Sequence, residues 1–160
     1  MRVLIAYDSR REAGATHTIA ECIAKVLRKR GAKVMLCRVK DTCSNPGNFD
    51  LIVVGTPIYY EHPMKSILEF IDKNGGLKGL KVAVFITCLA ASKKIPSPIR
   101  NTAIQRYLNS ILKRVKGEVI VSKAFKGWLQ SPDLSVLEEC AEWSEVVLAK
   151  TVGHERCSNP

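Results

Sequence analysis

Acidic residues are scarce: 15 Asp and Glu face 25 Lys and Arg over 160 residues, a formal net charge of +10. That balance favours anionic partners and disfavours a protein that docks through an acidic surface. No CxxC occurs, and the six cysteines, at 22, 37, 43, 88, 140 and 157, lack paired metal-ligand spacing. Neither a zinc site nor a dithiol motif is therefore expected, and no metal. Most of these cysteines fall inside apolar periodic segments and read as reduced core thiols of a cytoplasmic protein. The longest strongly apolar stretch, Val82 to Ala91, is too short to span a bilayer. The apolar start of the chain ends at Asp8, too early for a signal-peptide core. A GxGxxG fingerprint for a dinucleotide is missing as well. Exposed aromatics do not interleave with the basic residues, which argues against nucleic acid. Without repeats or low-complexity tracts, residues 1–153 read as one domain, with 154–160 as a flexible tail.

What is present is a regular alternation. Arg2–Tyr7 reads as a first strand, and Ile19, Ile23 and Leu27 fall at helical spacing until Arg30-Gly31. Lys33–Val39 is a second strand, followed by a turn-rich connection, Asp41–Asn48, with little room for a full helix. Asp50–Gly55 is a third strand, and Met64, Ile67, Leu68 and Ile71 form a helical stripe closed by Asn74-Gly75-Gly76. Lys81–Thr87 is a fourth strand. Ile104, Tyr107, Leu108, Ile111, Leu112 and Val115 make an amphipathic helix. Glu118–Phe125 is a fifth strand, and a last helix runs from a capping Asp133 to about Val152. Strands alternating with helices at these spacings imply a parallel sheet with right-handed crossovers. For five strands the common order is 2-1-3-4-5, with helices on both faces.

In that order the switch point lies between strands 1 and 3, where the order of connection reverses, and ligands bind at the carboxyl edge there. Three loops converge on it: Asp8–Thr16, Gly55–His62 and Thr87–Pro98. The first has hydroxyls at Ser9 and Thr16, Gly14 near a helix start, and Arg10 and Arg11. It reads either as a phosphate site at a helix amino terminus or as an ordinary loop in which Thr16 caps the helix. His17 either touches phosphate or faces water. The second loop follows four apolar residues, Leu51-Ile52-Val53-Val54. Its Gly55-Thr56-Pro57 sequence is expected to end the ladder, and Tyr59 or Tyr60 offers a face to a flat, π-rich ligand. Trp128, after the fifth strand, either reaches the same edge or, in the preferred reading, packs on the surface. Cys88 reads as a small apolar thiol, and His62 as a solvated turn residue.

Other functions of this architecture fail on particular residues. A phospho-acceptor receiver needs an acid at the end of the third strand, where Gly55-Thr56 stands. A cysteine phosphatase needs a thiolate in the first loop, which has none.

Taken together, Ser9, Gly14 and Thr16 after the first strand, Gly55-Thr56-Pro57-Ile58-Tyr59 after the third, and Phe85-Ile86-Thr87 leading to Lys93-Lys94 resemble the flavodoxin superfamily. The likeness is to its flavodoxin-domain branch, which includes the menaquinone-dependent protoporphyrinogen oxidases. The resemblance implies a flavodoxin-like fold with bound FMN, its phosphate on the first loop and its ring between the second and third. The residues it marks for the cofactor are Ser9, Arg10, Arg11, Gly14, Ala15, Thr16, His17, Thr56, Pro57, Ile58, Tyr59, Tyr60, Thr87, Cys88 and Leu89. Here Arg10-Arg11-Glu12-Ala13 lengthens the phosphate loop, so that an arginine assists the phosphate or affinity falls. The resemblance implies an oxidoreductase acting on a small anionic or carboxylate-bearing substrate, a quinone or an acidic redox protein. An electron carrier and a binding module that has lost FMN stay open. No side chain stands out as a catalytic acid. The basic stretch Lys93–Lys126 is open to such substrates, to acidic partners or to anionic lipid.

Overall fold

The computed structural model describes residues 1–156. Its elements are β1 (Arg2–Tyr7), α1 (Ala15–Lys29), β2 (Lys33–Arg38), β3 (Leu51–Tyr59), β4 (His62–Pro63), α2 (Lys65–Lys73), β5 (Lys81–Cys88), α3 (Ser97–Leu112), β6 (Glu118–Lys126) and α4 (Leu134–Arg156). Residues 154–156, expected in a tail, belong to α4. The rest of that expected tail, 157–160, lies outside the described residues.

The five long strands pair in the order β2-β1-β3-β5-β6, all in parallel, and β4 adds a short antiparallel pair to the end of β3. Counting only the long strands, this is the expected 2-1-3-4-5 order. Successive strand residues point to opposite faces, so two cores form. Val3, Ile5, Leu51, Val53 and Phe85 pack under α1 and α4, through Ile19, Ile23, Val136 and Trp143. Leu4, Ala6, Ile52, Val54 and Val84 pack under α2 and α3, through Ile67, Ile71, Leu108 and Ile111. Between β2 and β3 the chain makes only a 3-10 turn, Pro46–Asn48, as the short turn-rich connection predicts. Asp133 caps α4: its Oδ1 accepts from the Ser135 amide at 3.0 Å.

Two expectations are corrected. β3 does not stop at Gly55. Its ladder with β5 continues through Thr56↔Ile86 and Pro57↔Thr87, while pairing to β1 ends at Tyr7↔Gly55. At Thr56 and Pro57, after β1 has ended and before β4 pairs with Ile58 and Tyr59, β3 has a ladder partner in β5 alone. Proline is tolerated at such an edge because its missing N–H costs no ladder bond. Gly55 itself is required by packing, since a Cβ there would sit 2.1 Å from the Phe85 ring. The second correction concerns the cysteines. Cys37, at the end of β2, and Cys43 form a disulfide, with Cα atoms 5.8 Å apart. The turn after β2 folds back within the span that a disulfide bridges. Cys22, Cys88 and Cys140 are free thiols.

Candidate functional site

A right-handed parallel sheet brings the carboxyl ends of its strands, and the amino ends of the helices that follow, to one edge. At that edge a cleft of about 190 Å³ is lined by Ser9, Arg11, Gly14, Ala15 and Thr16 from the first loop. Pro57, Ile58 and Tyr59 line it from the end of β3, and Thr87, Cys88 and Leu89 from the end of β5. Gly127, Trp128 and Leu129, after β6, complete the wall. A wider hollow of about 650 Å³ between residues 39–45 and α2 contains none of the residues that the sequence singles out.

The first loop is held from below. Asp8 is fully buried at the end of β1, and its Oδ1 lies 3.4 Å from Arg38 Nε and 3.9 Å from Lys40 Nζ. The same carboxylate accepts from the Ser9 amide at 2.7 Å and from the Ser66 hydroxyl. Arg38 Nη2 also donates to the carbonyls of Ser9 and, at 3.5 Å, of Arg11. One guanidinium thus neutralises a buried acid and pins the loop backbone, which is how the lengthened loop keeps a defined path.

Gly14 is the N-cap of α1, and no side chain caps that helix. The amides of its first turn are therefore not taken up by a capping group. A Cβ on Gly14 would come within 2.9 Å of Ser9 Oγ, so glycine lets the two ends of the loop close together. Thr16 is not a cap but lies inside the first turn, buried, with its hydroxyl 2.8 Å from that of Thr87 on β5. That bond ties the first loop to the third.

The remaining candidates separate. Arg11 Nη1 crosses the mouth to donate to the Leu129 carbonyl at 2.5 Å. The Arg10 guanidinium lies 4.5 Å over the Tyr59 ring, a cation–π contact, but Arg10 does not line the cleft. Thr56 is buried and turned inward: its hydroxyl donates to the Pro57 carbonyl and accepts from the Met64 amide. Its place is to join β3 to α2. Tyr60, 87% exposed, does not line the cleft. His17 also lies outside the cleft. Its Nδ1 accepts from the Tyr7 hydroxyl at 2.6 Å, and its Nε2 faces Glu21 at 3.1 Å. Burial pushes the Tyr7 phenol up from its ordinary pKa, so it remains the donor in that pair. Burial likewise raises the Cys88 thiol.

The sequence did not single out Gly127 and Leu129, and it placed Trp128 on the surface. Trp128 does pack on the core below, yet it also walls the cleft. The signal was available: in a parallel sheet the loop after the fifth strand opens on the same edge as the other three.

An open parallel sheet of this order, with a cleft where the strand sequence reverses, defines the flavodoxin-like class of doubly wound α/β proteins. The chain belongs to the flavodoxin domain family, whose model matches residues 4–140. Solved structures agree in fold. Oxidised flavodoxin 1 from Bacillus cereus superposes with a TM-score of 0.66 at 21% identity, covering 96% of this chain and 99% of that one. The rubredoxin oxygen:oxidoreductase of Desulfovibrio gigas gives 0.69 at 17% identity, over 95% of this chain but 36% of its own. The flavodiiron protein of Giardia intestinalis gives 0.66 at 14% identity, over 99% of this chain and 38% of its own. No curated protein sequence matches. Among the described residues, no helix is long and apolar enough to cross a membrane.

Proposed function

We propose that this protein binds FMN in the cleft at the carboxyl edge of the sheet and works as a redox protein, in the role of an oxidoreductase. The observation that carries this reading is that one cleft is lined by both phosphate-binding and aromatic groups. Ser9, Gly14 and Thr16 with the uncapped start of α1 suit a phosphate, and Tyr59 and Trp128 suit a flat ring. The donor set fits the group. The cleft is smaller than the roughly 300 Å³ usual for a ligand site. Arg11, the long side chain in its lining, donates to the Leu129 carbonyl, and release of that bond would widen it.

FMN when bound supplies one-electron and hydride chemistry that no side chain here possesses. The chain's own residues bind and orient. The first-turn amides and the Ser9 and Thr16 hydroxyls donate to phosphate, and Arg11 stands close enough to assist. Tyr59, Trp128 and Leu89 exclude water from the ring end. Cys88, neutral under burial, adds a small apolar contact.

The enzyme reading is favoured over that of a diffusing carrier by the net charge of +10 and by Lys93 and Lys94 on the loop beside the cleft. Both attract an anionic or carboxylate-bearing substrate, or an acidic redox protein. A menaquinone-dependent protoporphyrinogen oxidase is the most specific form of this proposal, and the resemblance in the loops is its support.

The test is the phosphate grip. Thr16→Ala is expected to weaken FMN binding by roughly 1.5–3 kcal/mol, the worth of a hydrogen bond to a charged group. Arg11→Ala is expected to weaken it less. Unchanged affinity in both variants would place the phosphate elsewhere.

A further inference from the structure

We infer that the carboxyl edge of the sheet is a docking surface for an anionic lipid bilayer. Among the described residues, five large apolar side chains are between 59% and 87% exposed: Leu89, Ile99, Leu129, Leu134 and Tyr60. The next is Met35, at 44%. All five belong to this one edge. Tyr60 follows β3, Leu89 follows β5 and Leu129 follows β6, while Ile99 and Leu134 lie in the opening turns of α3 and α4. Because α3 and α4 cover opposite faces of the sheet, these side chains straddle its full thickness. They are separate points spread over both faces of the sheet at this edge rather than a stripe down one side.

Basic residues share this edge. Arg10, Arg11, Lys93 and Lys94 are exposed on the first and third loops. Of the nearby acids, Glu61 pairs with Arg106 at 2.8 Å, Asp133 with Lys126 at 3.3 Å and Glu139 with Lys123 at 2.8 Å. Glu12 is exposed on the first loop, and Glu138 and Glu142 line a hollow with Lys93 and Lys94. Arg10, Arg11, Lys93 and Lys94 still outnumber Glu12, Glu138 and Glu142, and the apolar side chains are exposed among them. Lipid headgroups complement the charge, and the acyl boundary takes the tips. An acidic protein is the poorer occupant, because protein interfaces pack a contiguous apolar centre and are depleted in lysine. The docking follows from exposed side chains alone and holds whether or not the cleft carries a flavin.

Cosedimentation with vesicles tests it, comparing phosphatidylcholine alone with phosphatidylcholine containing phosphatidylserine. Binding is expected only with the anionic vesicles, falling as salt is raised. Trp128 lies at the edge and Trp143 in the core, so the emission of a Trp143→Phe variant should shift to the blue on binding. Lys93→Gln with Lys94→Gln is expected to lower binding roughly thirtyfold, at the usual worth of a lysine near an anionic surface. Ile99→Ser with Leu134→Ser removes two exposed tips outside the cleft and should weaken binding to the same vesicles while the circular dichroism spectrum stays the same. Equal binding to both vesicle types, or indifference to both pairs of substitutions, would overturn the inference. So would failure to bind vesicles by protein that is retained on immobilised polyglutamate, which would assign the surface to an acidic protein.

Discussion

Thr16 and Thr87, 71 positions apart in the chain, share a buried hydrogen bond of 2.8 Å between their side-chain hydroxyls. It joins the start of α1 to the end of β5 across the line where strand order reverses. Both hydroxyls border the cleft, so one bond couples the shape of the site to the stability of the fold.

That coupling is measurable. Thr16→Val or Thr87→Val leaves the other hydroxyl buried without its partner, at a cost of about 1–3 kcal/mol. The double variant should cost clearly less than the sum of the two, because neither orphan then remains. Urea denaturation of all four proteins gives the interaction energy. Strict additivity would mean that the bond contributes nothing.

Arg38→Met should destabilise by about 3 kcal/mol, the lower end for breaking a buried ion pair, since Lys40 and Ser66 still reach Asp8. Loop carbonyls at Ser9 and Arg11 lose their donor in the same variant. Denaturant midpoints and proteolysis at Arg10–Arg11 check the two effects, and an intact loop would show that Arg38 does not hold it.

The disulfide between Cys37 and Cys43 closes a short loop, with a sequence separation of 6. Loop-closure entropy assigns it about 2 kcal/mol, and reductant should remove that stability reversibly. The double variant Cys37→Ser with Cys43→Ser should be indifferent to reductant. Loss of stability with reductant in that variant as well would mean that the effect lies in another cysteine.

Cys22 on α1 interacts with the Cys140 thiol of α4, which outweighs partial burial and lowers its pKa from 9.0 to about 7. The same interaction, with burial, drives the Cys140 thiol upward. Cys22 therefore becomes a thiolate as pH rises through about 7, and its alkylation by iodoacetamide should be half-maximal there. Cys140 and the buried Cys88 should stay unlabelled at neutral pH. A rate profile for Cys22 that turns near 9 would contradict this.

The order of the five long strands was legible because buried parallel strands and amphipathic helices leave opposite periodic marks. The missing helix after β2 was legible in the turn-rich segment 41–48. Gly55-Thr56-Pro57 misled, because a proline reads as a ladder breaker and its tolerance depends on β1 ending first, a tertiary fact. The Cys37–Cys43 pairing was hidden for the same reason: only the reversal after β2 brings the two together. In the cleft, Ser9, Gly14, Thr16, Tyr59 and Thr87 were legible from loop chemistry at strand ends. Thr56, Tyr60 and His17 were not separable from them. Thr56 and His17 lie within β3 and α1, whose reach past the expected loop ends is a tertiary fact, and the direction of Tyr60 depends on its local φ of 48°.

The most direct test of the account is a titration of flavin-free protein with FMN, followed by flavin fluorescence. The predicted result is saturable quenching at one equivalent, as Tyr59 and Trp128 close on the ring, with Thr16→Ala shifting the curve to higher concentration. Flavin fluorescence that stays unquenched throughout the titration would contradict it and leave a flavodoxin fold serving some other ligand.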